Sequence, residues 1–274
     1  MSTDEELQRD ITRLALRALH GTPFALAGSG AIREHGIIDR PTQDIDLFTS
    51  DLDAGRFDTA VSSVVNGIRD AGHAVDELRR VEQFARLHIT TDEGRFVEMD
   101  MGVDYREGEP VTLSVGPVLS LDDAVANKVS ALYSRAEARD YLDVDAIRTS
   151  GKFTDTELID AARERDLGFE VPMFAAQLEA VQRLRPDQTI VYNVDAAELD
   201  AIKTRLTSWA AELRAPERRP GGASLDPELQ RLAELRRLGF PTAPGAQRTA
   251  GPTPPTATPD GRSPEQNRDH GRAR

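Results

Sequence analysis

Apolar residues recur at close to a helical spacing over the first twenty positions. Leu7, Ile11, Leu14, Leu16 and Leu19 follow one face, and Asp4 stands where a cap would start the helix. A short apolar run, Phe24 to Ala27, then ends at Gly28-Ser29-Gly30, the pattern of a buried strand entering a tight turn. A helix from Ala31, broken near Gly36, is expected next. Asp44-Ile45-Asp46-Leu47-Phe48 alternates polar and apolar, which predicts a half-buried strand. Residues Arg56 to Gly72 return to the helical period through Phe57, Ala60, Val61, Val64, Val65 and Ile68. Three strand-like runs follow, Ala74–Val81, Ala85–Thr90 and Phe96–Val103, with a hairpin turn at Asp92-Glu93-Gly94.

The pattern changes near Leu119. Ser120 and Asp123 form the start of a capped helix, and Leu121, Val125, Val129 and Leu132 give it an apolar stripe. Further helices are predicted over Ala138–Thr149, Asp155–Arg165, Pro172–Leu184 and Asp195–Leu213. After Pro216 come a Pro-Gly-Gly breaker, one short helical pattern over Asp226–Leu238, and a stretch rich in Pro, Thr, Gly and Arg. That stretch has too little apolar surface to offset the entropy of ordering and reads as disordered. The expected class is α+β: a mixed β-sheet domain with helices over 1–118, a helical domain over 119–215, and a disordered tail over 216–274.

Composition narrows the chemistry. The 274 residues include no cysteine, so disulfides, thiolate metal sites and a cysteine nucleophile are excluded. No window approaches the roughly 18 consecutive apolar residues of a membrane span. The N-terminal MSTDEELQRD has no apolar segment to act as a signal peptide, which places the expected location in the cytoplasm with no membrane partner. The net charge of −13 opposes a nucleic-acid-coating role and leaves room for a local basic patch that captures one RNA end.

The densest chemistry lies between Gly28 and Leu47. On a strand, positions i and i+2 share a face, so Asp44 and Asp46 converge on one small volume. Two carboxylates that close repel each other unless a cation sits between them, and Mg²⁺ favours one or two carboxylates plus water and phosphate oxygens. The Gly28-Ser29-Gly30 turn allows backbone amides to approach a phosphate, and the Ser29 hydroxyl adds a further bond to it. An Asp-x-Asp pair alone also fits a solvated strand face. The Gly-Ser turn upstream, with Arg40 and Thr42 just before the pair, favours a nucleotide cradle and its metals.

In this order the residues resemble the nucleotidyltransferase superfamily, and more narrowly its AbiEii/AbiGii-type toxin branch, which includes the mycobacterial MenT toxins. The likeness covers about residues 22 to 150. It rests on Gly28-Ser29, on R-x-T-x-D-I-D-L at Arg40–Leu47, and on a distal motif of Lys128, Arg135, Arg139-Asp140 and Asp143. The branch usually carries Gly-Gly where this chain has Gly28-Ser29.

The resemblance implies transfer of a nucleoside monophosphate from a nucleoside triphosphate to an acceptor, with Asp44 and Asp46 holding two Mg²⁺ ions. It implies a third carboxylate, Asp100 with Glu98 as substitute, as metal ligand and base; a plain strand edge with acidic solvent positions would look the same. Lys128, the only lysine before Lys152, is assigned to the β- and γ-phosphates. Gly28, Ser29, Gly30, Arg40 and Thr42 are assigned to the nucleotide. An aspartate of the Asp140, Asp143 pair is expected to orient Lys128 or act on the acceptor: Asp143 aligns best with that role, and Asp140 either carries it or pairs with Arg135 or Arg139 in a helix-surface network. His35 is read as a packed or capping histidine that lies near enough to touch the nucleotide. The branch further implies a toxin whose acceptor is the 3′ end of tRNA and whose partner is a separately encoded antitoxin. Two rivals stay open: transfer to a small cationic molecule such as an aminoglycoside or to a protein, and a catalytically silent binding or antitoxin module.

Overall fold

The computed structural model describes residues 3–215. Its frame is one seven-stranded mixed sheet. Strands β1 (Ala25–Leu26), β2 (Asp44–Thr49), β3 (Ala74–Val81), β4 (Phe84–Thr90), β5 (Phe96–Val103), β6 (Val111–Leu113) and β7 (Gly116–Val118) stand in the order β3-β4-β5-β2-β1-β7-β6. Strands β2 and β5 run parallel; β3, β4 and β5 form an antiparallel meander turned by Gly94 at positive φ. The alternation seen in the sequence has a direct cause. Ile45, Leu47, Leu87, Ile89, Met99 and Met101 are buried on one face, and the residues between them form the other. Two helices belong with the sheet: α1 (Thr3–Ala18), and α3 (Ala54–Asp70), whose apolar stripe from Phe57 to Ile68 is buried.

The helical half comprises α4 (Leu121–Ser134), α5 (Ala138–Thr149), α6 (Asp155–Arg165), α7 (Val171–Ala180), the single turn α8 (Pro186–Thr189) and α9 (Ala196–Arg214). Ser120 caps α4 by accepting the Asp123 amide, as its spacing predicts, and Asp195 caps α9. A tilted and edge-on aromatic chain, Tyr133–Phe169–Phe174–Trp209, ties α4, α7 and α9 together, with neighbouring centroids 4.7 to 5.4 Å apart.

Three expectations are corrected, and one pair of strands is additional. The helix expected from Ala31 is α2, and it begins at Gly28 (Gly28–Glu34), so the glycine-serine segment is its first turn. The two short strands β6 and β7 had no expectation at all. The helix expected over Pro172–Leu184 stops at Ala180 and tightens into a 3₁₀ turn over Val181–Arg183. Asp4 lies inside the first turn of α1 and does not cap it. The expected tail and its short helix lie outside the described residues. Among the described residues, no helix is long and apolar enough to cross a membrane.

Candidate active site

The polar face of the sheet is laid out as a grid by strand register. Across β2, β5 and β4, in-register residues share a face, which gives rows of Asp44–Glu98–His88, Asp46–Asp100–Arg86 and Phe48–Gly102–Phe84. Two acidic rows therefore lead into an aromatic one. A cleft of about 740 Å³ lies over them, roofed by Asn127, Lys128, Ala131 and Ser134 of α4. Asp44, Asp46 and Asp100 all line it, together with Gly28 and Ser29. Asp100 is the carboxylate that faces Asp46, whereas Glu98 stands opposite Asp44 and does not line the cleft.

Gly28 is required by space as well as by backbone. Its φ is +57°, and a Cβ there would lie 1.8 Å from Asp46 Oδ2. The main chain of the loop is thus pressed against the Asp46 carboxylate, and the Ala27 amide donates to the Asp46 carbonyl at 2.8 Å. Gly30, by contrast, faces inward, where a Cβ would meet Leu26 at 3.1 Å.

Behind the loop lies a buried polar node. Asp143 of α5 is wholly buried and uses both oxygens: Oδ1 accepts from Arg40 Nε (2.8 Å) and Nη2 (2.5 Å), and Oδ2 accepts from Ser29 Oγ (2.8 Å) with Lys128 Nζ at 2.8 Å. Lys128 Nζ also donates to Ser29 Oγ at 2.7 Å. Burial alone would raise the Asp143 carboxyl, but Lys128 and Arg40 more than offset it and hold its pKa below the ordinary value. This arrangement settles the geometry of the distal motif. Asp143 reaches the cleft only through Ser29 and Lys128. Asp140, also wholly buried, takes both Arg135 nitrogens at 2.9 Å and the Glu137 amide at 3.1 Å, closing the start of α5.

Three expected nucleotide contacts stand elsewhere. Thr42 is buried away from the cleft, donating to Gln8 Oε1 (2.6 Å) and accepting from Arg33 (3.1 Å). Arg40 is turned toward Asp143 and packs its guanidinium 4.9 Å from the Tyr192 ring centroid. Gly30 packs on Leu26. His35 bonds the Leu119 carbonyl at 2.9 Å, in keeping with a packed histidine. The opposite omission is Arg86, which donates to both oxygens of Asp100 at 2.8 and 2.7 Å and approaches Glu98 at 3.3 Å. Its position on the polar face was visible in the alternation of β4; its partner depended on a register that local pattern does not encode.

The carboxylates are unevenly neutralised. Arg139 donates to Asp44 at 2.9 Å, and Arg86 holds Asp100. Asp46 accepts no hydrogen bond from a described side chain, and burial, then Asp44, push its pKa up to about 7. Among the described residues no three acidic or histidine groups converge closely enough to grip a metal as they stand. The donor set nevertheless fits a hard divalent cation: carboxylate oxygens on one face, at adjacent register positions, with one of them short of positive charge. Asp44, Asp46 and Asp100 would hold it once Arg139 and Arg86 turn aside.

A Gly-Ser loop packed against an Asp-x-Asp strand, with a third carboxylate on the parallel neighbour and a buried lysine opposite, defines a nucleotidyltransferase. Residues 9–233 match the family described as nucleotidyl transferase AbiEii toxin, Type IV TA system, and the chain belongs to that family of toxin–antitoxin nucleotidyltransferases. Its fold is similar to that of JHP933 from Helicobacter pylori (TM-score 0.52, 14% identity, 88% of this chain and 100% of that one). It is also similar to MenT4, a nucleotidyltransferase toxin from Mycobacterium tuberculosis H37Rv (TM-score 0.51, 19% identity, 86% of this chain and 90% of that one). At these identities the likeness is one of fold. No curated protein matches the chain.

Proposed function

We propose that this toxin is a Mg²⁺-dependent enzyme that transfers a nucleoside monophosphate from a nucleoside triphosphate to the 3′ end of tRNA, and that a separately encoded antitoxin restrains it in the cytoplasm. The observation that carries the reading is the register of Asp44, Asp46 and Asp100 under a cleft whose far wall presents Lys128 and Ser29. Asp44, Asp46 and Asp100 are the metal-holding residues. When bound, divalent cations there neutralise the α-phosphate and the departing pyrophosphate.

The acceptor hydroxyl oxygen forms a bond to the α-phosphorus, the bond from that phosphorus to the β-phosphate bridge breaks, and pyrophosphate leaves with the electron pair. Asp100 takes the hydroxyl proton. Ser29 and Lys128 hold the triphosphate, and Asp143 is a positioning residue that fixes both of them. Residues 119–215 complete the cleft from above. Most of the rate enhancement then comes from placement and fixed charge. Arg139, at the cleft edge, is released from Asp44 when metal binds and then offers local positive charge to an RNA end despite the net charge of −13, while Arg135 stays paired with Asp140.

The test is incubation of the purified full chain with Mg²⁺, total tRNA and each α-³²P-labelled nucleoside triphosphate in turn, beside an Asp46→Ala variant. Label on tRNA with the unmodified protein alone supports the reading and names the nucleotide. No label with any of the four removes tRNA as the acceptor.

A further inference from the structure

The cleft continues past the carboxylates that the proposed transfer uses. Beyond the aromatic row, Asp104 follows β5, and its amide donates to the Thr49 carbonyl at 2.9 Å, so the parallel ladder runs on by one more step. We propose that this end of the cleft, formed by Asp104, Asn127 and Tyr105, is the seat of the nucleobase, and that Asp104 decides which base is accepted. The inference rests on nucleotidyl transfer being the reaction.

Charge orients the substrate. Lys128, Arg86, Arg135 and Arg139 stand at or behind the carboxylate rows, where a triphosphate belongs. At the other end, among the described residues, Arg165 bonds the Tyr105 carbonyl and Asp123 Oδ1 (3.1 Å). Since Lys128, Arg86, Arg135 and Arg139 are paired as well, it is metal held by the carboxylates that sets the direction. A polyanion is thus drawn to the carboxylate end once metal is present, and the uncharged base is left to point the other way. Length agrees. Asp104 lies four residues beyond Asp100, or ~13 Å at ~3.3 Å per residue, about the reach from an α-phosphate across a ribose to the far edge of a base.

The floor between them is flat and apolar. Phe48 covers Gly102, where a Cβ would meet its ring at 3.3 Å, so any side chain at 102 would lift the ring into the cleft. At the far end, the 65%-exposed Tyr105 ring has the Arg165 guanidinium 5.4 Å from its centroid, which makes it a backed plate for stacking. Asp104 Oδ2 accepts from Asn127 Nδ2 at 3.0 Å, which fixes the amide and leaves its second N–H and its oxygen, beside the carboxylate, for a ligand. Burial raises the Asp104 carboxyl above its ordinary value and outweighs Arg165, so this acceptor lacks a full ion pair. A carboxylate beside an oriented amide reads the donor and acceptor pattern of a base edge. A phosphate, offering only acceptors, would be repelled.

The test is calorimetric binding, with Mg²⁺, of each of the four nucleoside triphosphates and of inorganic tripolyphosphate to the full chain and to Asp104→Asn and Tyr105→Ala. The unmodified protein is expected to rank the four nucleotides. Asp104→Asn, nearly isosteric, should change the ratio between best and worst by about tenfold, and Tyr105→Ala should weaken all four by about 5- to 100-fold. Tripolyphosphate should bind all three proteins alike. An unchanged ranking in Asp104→Asn together with unweakened nucleotides in Tyr105→Ala would overturn the seat. Equal weakening of tripolyphosphate by either variant, at an unchanged melting temperature, would also overturn it by placing the phosphates there. Failure of the unmodified protein to bind any nucleotide or tripolyphosphate would instead sink the transfer reading, and the seat with it.

Discussion

Replacing Asp143 by alanine removes the one carboxylate that, among the described residues, forms ion pairs with both Arg40 and Lys128, whose side chains are 9% and 6% exposed. Both cations would remain buried with only neutral hydrogen-bond partners, Ser29 for Lys128 and Ser29 with the Pro41 carbonyl for Arg40. Breaking a buried pair from one side costs about 3–5 kcal/mol. For a folded region of this size, each kcal/mol lowers the melting temperature by about 2–4 °C, so a fall of ~6–20 °C is expected by calorimetry. The loss should depend on pH in a defined direction. The folded carboxyl lies below its ordinary 3.8, so its stabilisation is complete above that value and disappears as pH falls through the depressed folded one. The gap between the two proteins must therefore narrow on acidification and stay constant from pH 5 to 8, as an estimate from the ordinary carboxylate range. A triple replacement, Arg40→Leu, Lys128→Met and Asp143→Leu, removes every buried charge of the node and should recover much of the stability with no recovery of transfer. A fall in melting temperature below about 3 °C for Asp143→Ala, or a gap that widens at low pH, would refute the account of the node as a buried ion cluster.

Three further outcomes follow from the same geometry. Gly28→Ala should abolish label transfer by more than about 100-fold, because its Cβ displaces Asp46, while costing only about 1–2 kcal/mol of stability from the left-handed backbone; steady-state transfer and thermal denaturation separate the two. Thr42→Val should lose about 0.5–1.5 kcal/mol, because Gln8 and Arg33 each lose one hydrogen bond but keep the one between them at 3.2 Å, and should leave the KM for nucleotide unchanged, since Thr42 lies away from the cleft. Arg86→Gln should bind Mn²⁺ without nucleotide more tightly than the unmodified protein, as followed by titration calorimetry, because Asp100 no longer has to be released; equal affinities would show that Arg86 does not compete for the site.

Local periodicity carried much of the architecture. The stripe of α4, the alternation of β2, the strand-like runs of β4 and β5 and the cap at Ser120 are all local patterns, and each marks an element of the structure. The hairpin of β6 and β7 was not legible because three-residue strands are too short to show a period, and Gly116 at φ +125° is their only mark. Asp44 and Asp46 could be placed together because their proximity is set by i, i+2 geometry. The pairing of Asp100 with Asp46, of Arg86 with Asp100 and of Asp104 with Asn127 required the order β4-β5-β2 and the docking of α4, which are tertiary facts. Thr42 misled for a related reason: it sits two residues before the site in sequence, yet it points toward Gln8 on α1.

The Asp143 node also has a place in the order of synthesis. Ser29 and Asp143 are 114 residues apart, and Ser29 and Lys128 are 99 apart. These are contacts of high sequence separation, which form late because a long loop must close first. At ~5–20 residues per second of translation, ~6–20 s pass between the emergence of Ser29 and that of Asp143. During that interval the strand carboxylates have been made, while the lysine that faces them has no anchor. A chain built this way completes its buried node only after α5 has been made. An antitoxin that engages the sheet half early would meet it before it is armed.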